Sequence, residues 1–142
     1  MESKVNEVLE SFGCGFYCSQ AILSAYCEEF GLDKEIALKI SCGLAAGMAR
    51  LSSTCGAVTG AYMVISLKHG NYLPTDKESI EKTFALIQEF DKRFIDKNGS
   101  TNCQELLGVD LRYGDKDLAG KQVKKLCPCF VKDAAEILEV VL

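Results

Sequence analysis

A chain of 142 residues has the length of one domain, and 48% hydrophobic against 25% charged residues places it among globular rather than disordered sequences. Sixteen Lys and Arg against 20 Asp and Glu leave a net charge of −4, which argues against the basic footprint of a nucleic-acid module. Eight cysteines fall short of a disulfide scaffold, which runs to about 8–10% cysteine, so they need another explanation.

The chain begins MESKVNEVLE, with charges scattered through it and no apolar core of a signal peptide. Lys4 to Glu10 reads as a short helix, stopped near Gly13 and Gly15. Cys18 to Phe30 reads as a second, ended by Gly31. Asp33 caps a third, running from Lys34 through the Ala-rich segment Gly43 to Ala49. Ser53 or Thr54 caps a fourth, from Cys55 to about His69, with Gly70 as its terminator. The uncharged stretch between Arg50 and Lys68 carries several Ser and Thr, which makes it a buried helix rather than a membrane span.

Lys77 to Lys97 has the clearest helical period, with Ile80, Phe84, Ile87, Phe90 and Phe94 on one stripe and a Thr75/Glu78 capping box ahead of it. Glu78 with Lys82, and Glu89 with Arg93, are spaced as exposed ion pairs. A short turn follows Asn102. Pro128 to Val141 forms the last helix, with Val131, Ala134, Ala135 and Leu138 facing inward. The expectation is an all-α, single-domain helical bundle of about five to six helices over residues 1–142, cytoplasmic and free of membrane and nucleic acid.

Two glycine pairs at four-residue spacing, Gly43/Gly47 and Gly56/Gly60, predict close approach of helices three and four. Gly56 and Gly60 are also candidate cofactor-binding positions, although no phosphate-loop motif surrounds them. The single histidine, His69, reads as a favourable cation at a helix C-terminus.

The cysteines carry the chemistry. No C-x-x-C and no C-x-x-C-H occurs, which removes the thioredoxin motif, the common zinc ribbon and covalent haem attachment. Cys127 precedes Pro128, a residue favoured at the first helical position. Cys103 follows Asn102, which with Glu105 forms N-x-x-E. Cys55 follows Ser52-Ser53-Thr54, and Cys18 follows the Gly13 to Tyr17 segment. Four cysteines are thus expected at four helix starts, where unpaired amides and the helix dipole favour a thiolate and lower its pKa. Cys27 and Cys42 read as core. Cys14 and Cys129 are candidate resolving thiols or substitute metal ligands.

At these residues the sequence resembles the family of small redox-active proteins and selenoproteins named for the pattern C_GCAxxG_C_C. The matching pieces are Cys18-Ser-Gln-Ala-Ile-Leu, Gly47-Met48, Thr54-Cys55-Gly56-Ala57-Val58-Thr59-Gly60-Ala61, Cys103-Gln-Glu-Leu-Leu-Gly108 and Cys127-Pro-Cys-Phe-Val. The resemblance implies a helical cytoplasmic protein of bacteria or archaea whose functional set is Cys18, Cys55, Cys103 and Cys127. A related domain occurs in split-Soret cytochromes, but the haem motif is missing here. The leading reading is dithiol/disulfide electron transfer with a partner protein. The alternative is a metal centre, an iron–sulfur cluster or zinc, held by the same four thiolates at intervals of 37, 48 and 24 residues. A third is a helical interaction module with cysteine as filler. A Gly/Ala-rich helix face would suit a homodimer.

Overall fold

In the computed structural model, which describes residues 2–142, the helices are α1 (Val5–Gly13), α2 (Cys18–Tyr26), α3 (Lys34–Cys42), α4 (Ala45–Ala49), α5 (Gly56–His69), α6 (Lys77–Asn98), α7 (Cys103–Leu107) and α8 (Lys116–Val141). A 3₁₀ turn, Glu28–Phe30, follows α2. The all-α fold is as expected. The count is higher, because the short pieces around residues 45 and 103 are separate elements.

The two central helices are apolar or small nearly all round, as a helix buried on every side must be. In α2 every residue but Gln20 is buried, and α5 buries Gly56 to Ala61, Val64 and Ile65. They press together through glycine. A Cβ at Gly60 would lie 2.9 Å from Ile22 Cβ and 3.0 Å from the Ser19 carbonyl oxygen. The expected close approach of helices three and four holds at Gly56, where a Cβ would lie 3.2 Å from Ala45 Cα. Gly56 and Gly60 chiefly admit α2, however, and Gly43 faces open space. Buried hydroxyls inside this packing are satisfied, since Ser19 Oγ donates to the Ser41 carbonyl at 2.8 Å and Ser41 Oγ to that of Ala37 at 2.7 Å.

Helix α6 follows the predicted span, capped one residue later than expected by Asp76, which accepts from the Ser79 amide. Phe90 and Phe94 are fully buried, but Phe84 faces water. The Glu89–Arg93 pair forms at 2.7 Å. Val131, Ala134, Ala135 and Leu138 of α8 are fully buried, as their spacing predicts.

Two local readings fail. The last helix begins at Lys116, capped by Asp115 accepting from Leu118, and runs straight through Pro128. Ala119, Val123, Leu126 and Phe130 continue one apolar stripe across the proline, and packing of that stripe offsets the ~3 kcal/mol that an interior proline costs. The third helix does not continue through Gly43 to Ala49. Instead Ala46, Gly47, Met48, Ala49 and Arg50 all have positive φ, from 54° to 68°. This left-handed turn holds itself by Arg50 N–H donating to the Ala46 carbonyl at 2.9 Å and Ser53 N–H to that of Gly47 at 2.9 Å. For four non-glycine residues such a backbone costs roughly 1–2 kcal/mol each, so neighbouring contacts must impose it. No helix among the described residues is long and apolar enough to cross a membrane.

Candidate functional site

A cavity of about 660 Å³ opens where α2, α5, α7 and α8 meet the left-handed turn, and Cys18, Cys55, Cys103 and Cys127 all line it. Each sulfur arrives by a local device. Cys18 is the first residue of α2, which is entered through Tyr17, whose amide donates to Gln20 Oε1 at 3.0 Å. Cys55 is the N-cap of α5, and Cys103 begins α7 behind its cap Asn102, whose Oδ1 accepts from the Glu105 amide at 3.0 Å.

These last two starts are tied together. Thr54 and Asn102 form an isolated antiparallel bridge. Across it, Cys55 N–H donates to the Thr101 carbonyl at 2.8 Å and Cys103 N–H to that of Ser53 at 2.7 Å. Asn102 Nδ2 adds a bond to the Ser52 carbonyl at 2.9 Å. The segments are 48 residues apart in sequence, yet two cysteines leave the bridge side by side. The capping pattern of Asn102 is legible in the sequence; the bridge is not.

Cys127 comes in differently. It lies in the middle of α8 rather than at a helix start, so the expected N-terminal position is corrected. Glycine makes room for the sulfurs. A Cβ at Gly56 would collide with Cys18 Sγ, and one at Gly47 would fall 2.7 Å from Cys103 Cβ. Gly56 therefore lines the cavity as a space-maker, while Gly60 serves the α2–α5 contact and does not line it.

The other four cysteines stay outside. Cys14, Cys42 and Cys129 are exposed, and Cys27 is buried in the core. Cys42 thus departs from the core position expected of it, because α3 ends there with its apolar Ile36 and Ile40 also turned outward. Cys129, two residues past Cys127, projects from the opposite side of α8. His69 is not the expected cation. Burial, then Lys82 and Lys68, hold its pKa below the ordinary value, so it is neutral near pH 7.

Cys55, Cys103 and Cys127 are also not the activated thiolates that helix starts predict. Burial, then the neighbouring Cys18, pushes Cys103 up to about 11. Burial, then Cys18 and Cys103, pushes Cys127 up to about 12. Cys55 moves further the same way, from burial and Cys18 first, although the amides of Ala57 and Val58 pull it down. The helix start acts on Cys55, but desolvation outweighs it. Cys18 recurs as a neighbour that raises each of the other three.

The consequence for stability has a definite sign. A thiol with a higher pKa folded than unfolded holds its proton more tightly when folded. Its stabilisation is complete below the unfolded value of 9.0 and is lost as pH rises through the folded one. For Cys103 the rise from 9.0 to about 11 corresponds to about 3 kcal/mol. Urea denaturation of the reduced protein should show a steep fall in stability above pH ~9, shallower in Cys103→Ser. Tyr26 and Tyr62, which donate to Glu139 and Asp91, weaken the fold in the same direction, so the difference between the proteins isolates the thiol part.

All-sulfur donors suit zinc or an iron–sulfur cluster by chemistry. Among the described residues, however, no three His, Cys, Asp or Glu side chains stand close enough to hold one metal ion together.

No curated protein and no solved structure matches the chain. The profile of the family described as "Putative redox-active protein (C_GCAxxG_C_C)" does match, over residues 16–141. That span holds all four cavity cysteines and the Cys55-Gly56-Ala57-Val58-Thr59-Gly60 run, and it covers nearly the whole chain, which belongs to the C_GCAxxG_C_C family of redox-active proteins.

Proposed function

We propose that the protein transfers electron pairs by dithiol/disulfide exchange, with Cys127 as the entering thiol and Cys18 as the resolving one. The observation that carries this reading is that four cysteines from four distant segments line one cavity. Cys127 is the least buried of the four, so an oxidised substrate reaches it first. Its thiolate attacks one sulfur of a substrate disulfide, and the other substrate sulfur leaves and takes a proton. Cys18 then attacks the Cys127 sulfur, and the second substrate thiol leaves in the same way. Two electrons pass to the substrate and a Cys18–Cys127 disulfide remains. Cys55 and Cys103, flanking the bridge, form a second dithiol to which that disulfide can move by exchange with Cys18. Because burial keeps the Cys127 thiol protonated near neutrality, the first step accelerates as pH rises.

The test is anaerobic purification, metal analysis, then titration with a mild oxidant and disulfide mapping by mass spectrometry. The expected result is a metal-free protein in which Cys18 pairs within the cavity set while Cys14, Cys42 and Cys129 remain free. Stoichiometric iron or zinc on the four cysteines, or oxidation that leaves all four as thiols, would overturn the reading.

A further inference from the structure

The cavity carries a second pattern that thiol exchange alone does not use. Among the described residues, the only charged ones lining it are Arg50, Arg112 and Lys116, in a protein whose net charge is −4. They come from three separate segments: the end of the left-handed turn, the loop after α7 and the first position of α8. All three are exposed, and none has an ion-pair partner within 4.0 Å among the described residues. Arg112 is braced over the Tyr113 ring at 4.4 Å, and the nearby Asp110 carboxylate is turned to the amides of Arg112 and Tyr113 and to Ser52 Oγ. Cys18, Cys55 and Cys103 are buried. Between rim and sulfurs the wall is apolar, with polar lining far outweighed by side chains such as Leu107, Val123 and Phe130. A volume of about 660 Å³ is in the range of small-molecule sites, ~300–1,000 Å³, and far exceeds the room one ion needs.

We infer that the cavity binds an organic anion with an apolar body, its carboxylate or phosphate held by Arg50, Arg112 and Lys116 and its apolar end directed to the sulfurs. Resting on the dithiol reading, this makes the substrate an organic disulfide whose S–S bond lies at the end opposite its anionic group. Two protein thiols become one disulfide, and the substrate S–S bond becomes two thiols. An aliphatic 1,2-dithiolane with a terminal carboxylate, as in lipoate, has this design, and its uncharged amide is the natural comparison.

Two measurements separate the parts of the inference. Anilinonaphthalene sulfonate, an apolar anion, should bind one site in the wild type and in Cys18→Ser. Its affinity should fall about tenfold or more in Arg112→Glu/Lys116→Glu, while neutral N-phenyl-1-naphthylamine is unaffected. Both substituted residues are exposed, and near-ultraviolet circular dichroism verifies that the fold is kept. Lipoate should be reduced in preference to lipoamide, by a margin that the double variant removes. Equal sulfonate affinity in wild type and double variant, or reduction of lipoate and lipoamide at equal rates, overturns the inference. If neither dithiolane is reduced while sulfonate binding keeps its charge dependence, the binding site stands and the dithiol reading falls.

Discussion

Replacing Gly56 with alanine should destabilise the protein by about 1–3 kcal/mol, the usual penalty for overfilling a packed core. Alanine is normally the better helix residue, by up to about 1 kcal/mol, so the sign here depends entirely on space. The new Cβ would collide with Cys18 Sγ, and would lie 3.2 Å from Ala45 Cα and 3.2 Å from the Ser19 amide nitrogen. Two of these three atoms are backbone, so relief requires moving α2 or the start of α4. Gly120 supplies the control. It is also helical, and a Cβ there meets nothing within 4 Å. Gly120→Ala should therefore gain up to about 1 kcal/mol in the urea melts in which Gly56→Ala loses stability. Equal effects at the two positions would mean that the close approach of Cys18 to α5 is wrong.

The largest functional effect is expected at Cys18. With Cys18→Ser, a disulfide substrate should still react at Cys127 but should not be released, leaving a mixed disulfide visible as added mass. Turnover should fall roughly 100-fold or more, since an intramolecular thiol is replaced by whatever thiol arrives from solution. A second readout distinguishes this role from mere packing. Cys18 raises the pKa of Cys103 and of Cys127, after burial in each case. Removing it should let both thiols ionise at lower pH, below about 11 and about 12, yet still above the ordinary value because burial remains. Thiolate absorbance followed against pH measures this. Cys14→Ser and Cys42→Ser, at exposed positions outside the cavity, should change neither quantity.

Sequence alone gives α6 and the starts of α2, α5 and α7, because the responsible signals are local. Asn102 three residues before Glu105, and Gly56 just past Cys55, act within one turn of chain. Where local preference and packing disagree, the reading fails. Pro128 is favoured at a helix start, yet the stripe from Ala119 to Phe130 carries α8 through it from a cap at Asp115. Ala45 to Arg50 has good helix formers, but the turn winds the other way because Gly47 must let Cys103 approach and Ser53 must reach back to it. The ionisation of the thiols is misread for the same kind of reason. A helix start is visible in the sequence, whereas the desolvation that overrules it exists only once α2, α5, α7 and α8 have closed around the sulfurs.

The Thr54–Asn102 bridge bears on how the sulfurs change oxidation state. Its two amide bonds, at 2.8 and 2.7 Å, hold the bases of Cys55 and Cys103 in register without help from either side chain. The scaffold is thus already assembled when every thiol is reduced, and it does not rely on a covalent crosslink to persist. In the proposed exchange, Cys55 and Cys103 therefore start from positions that the backbone itself fixes.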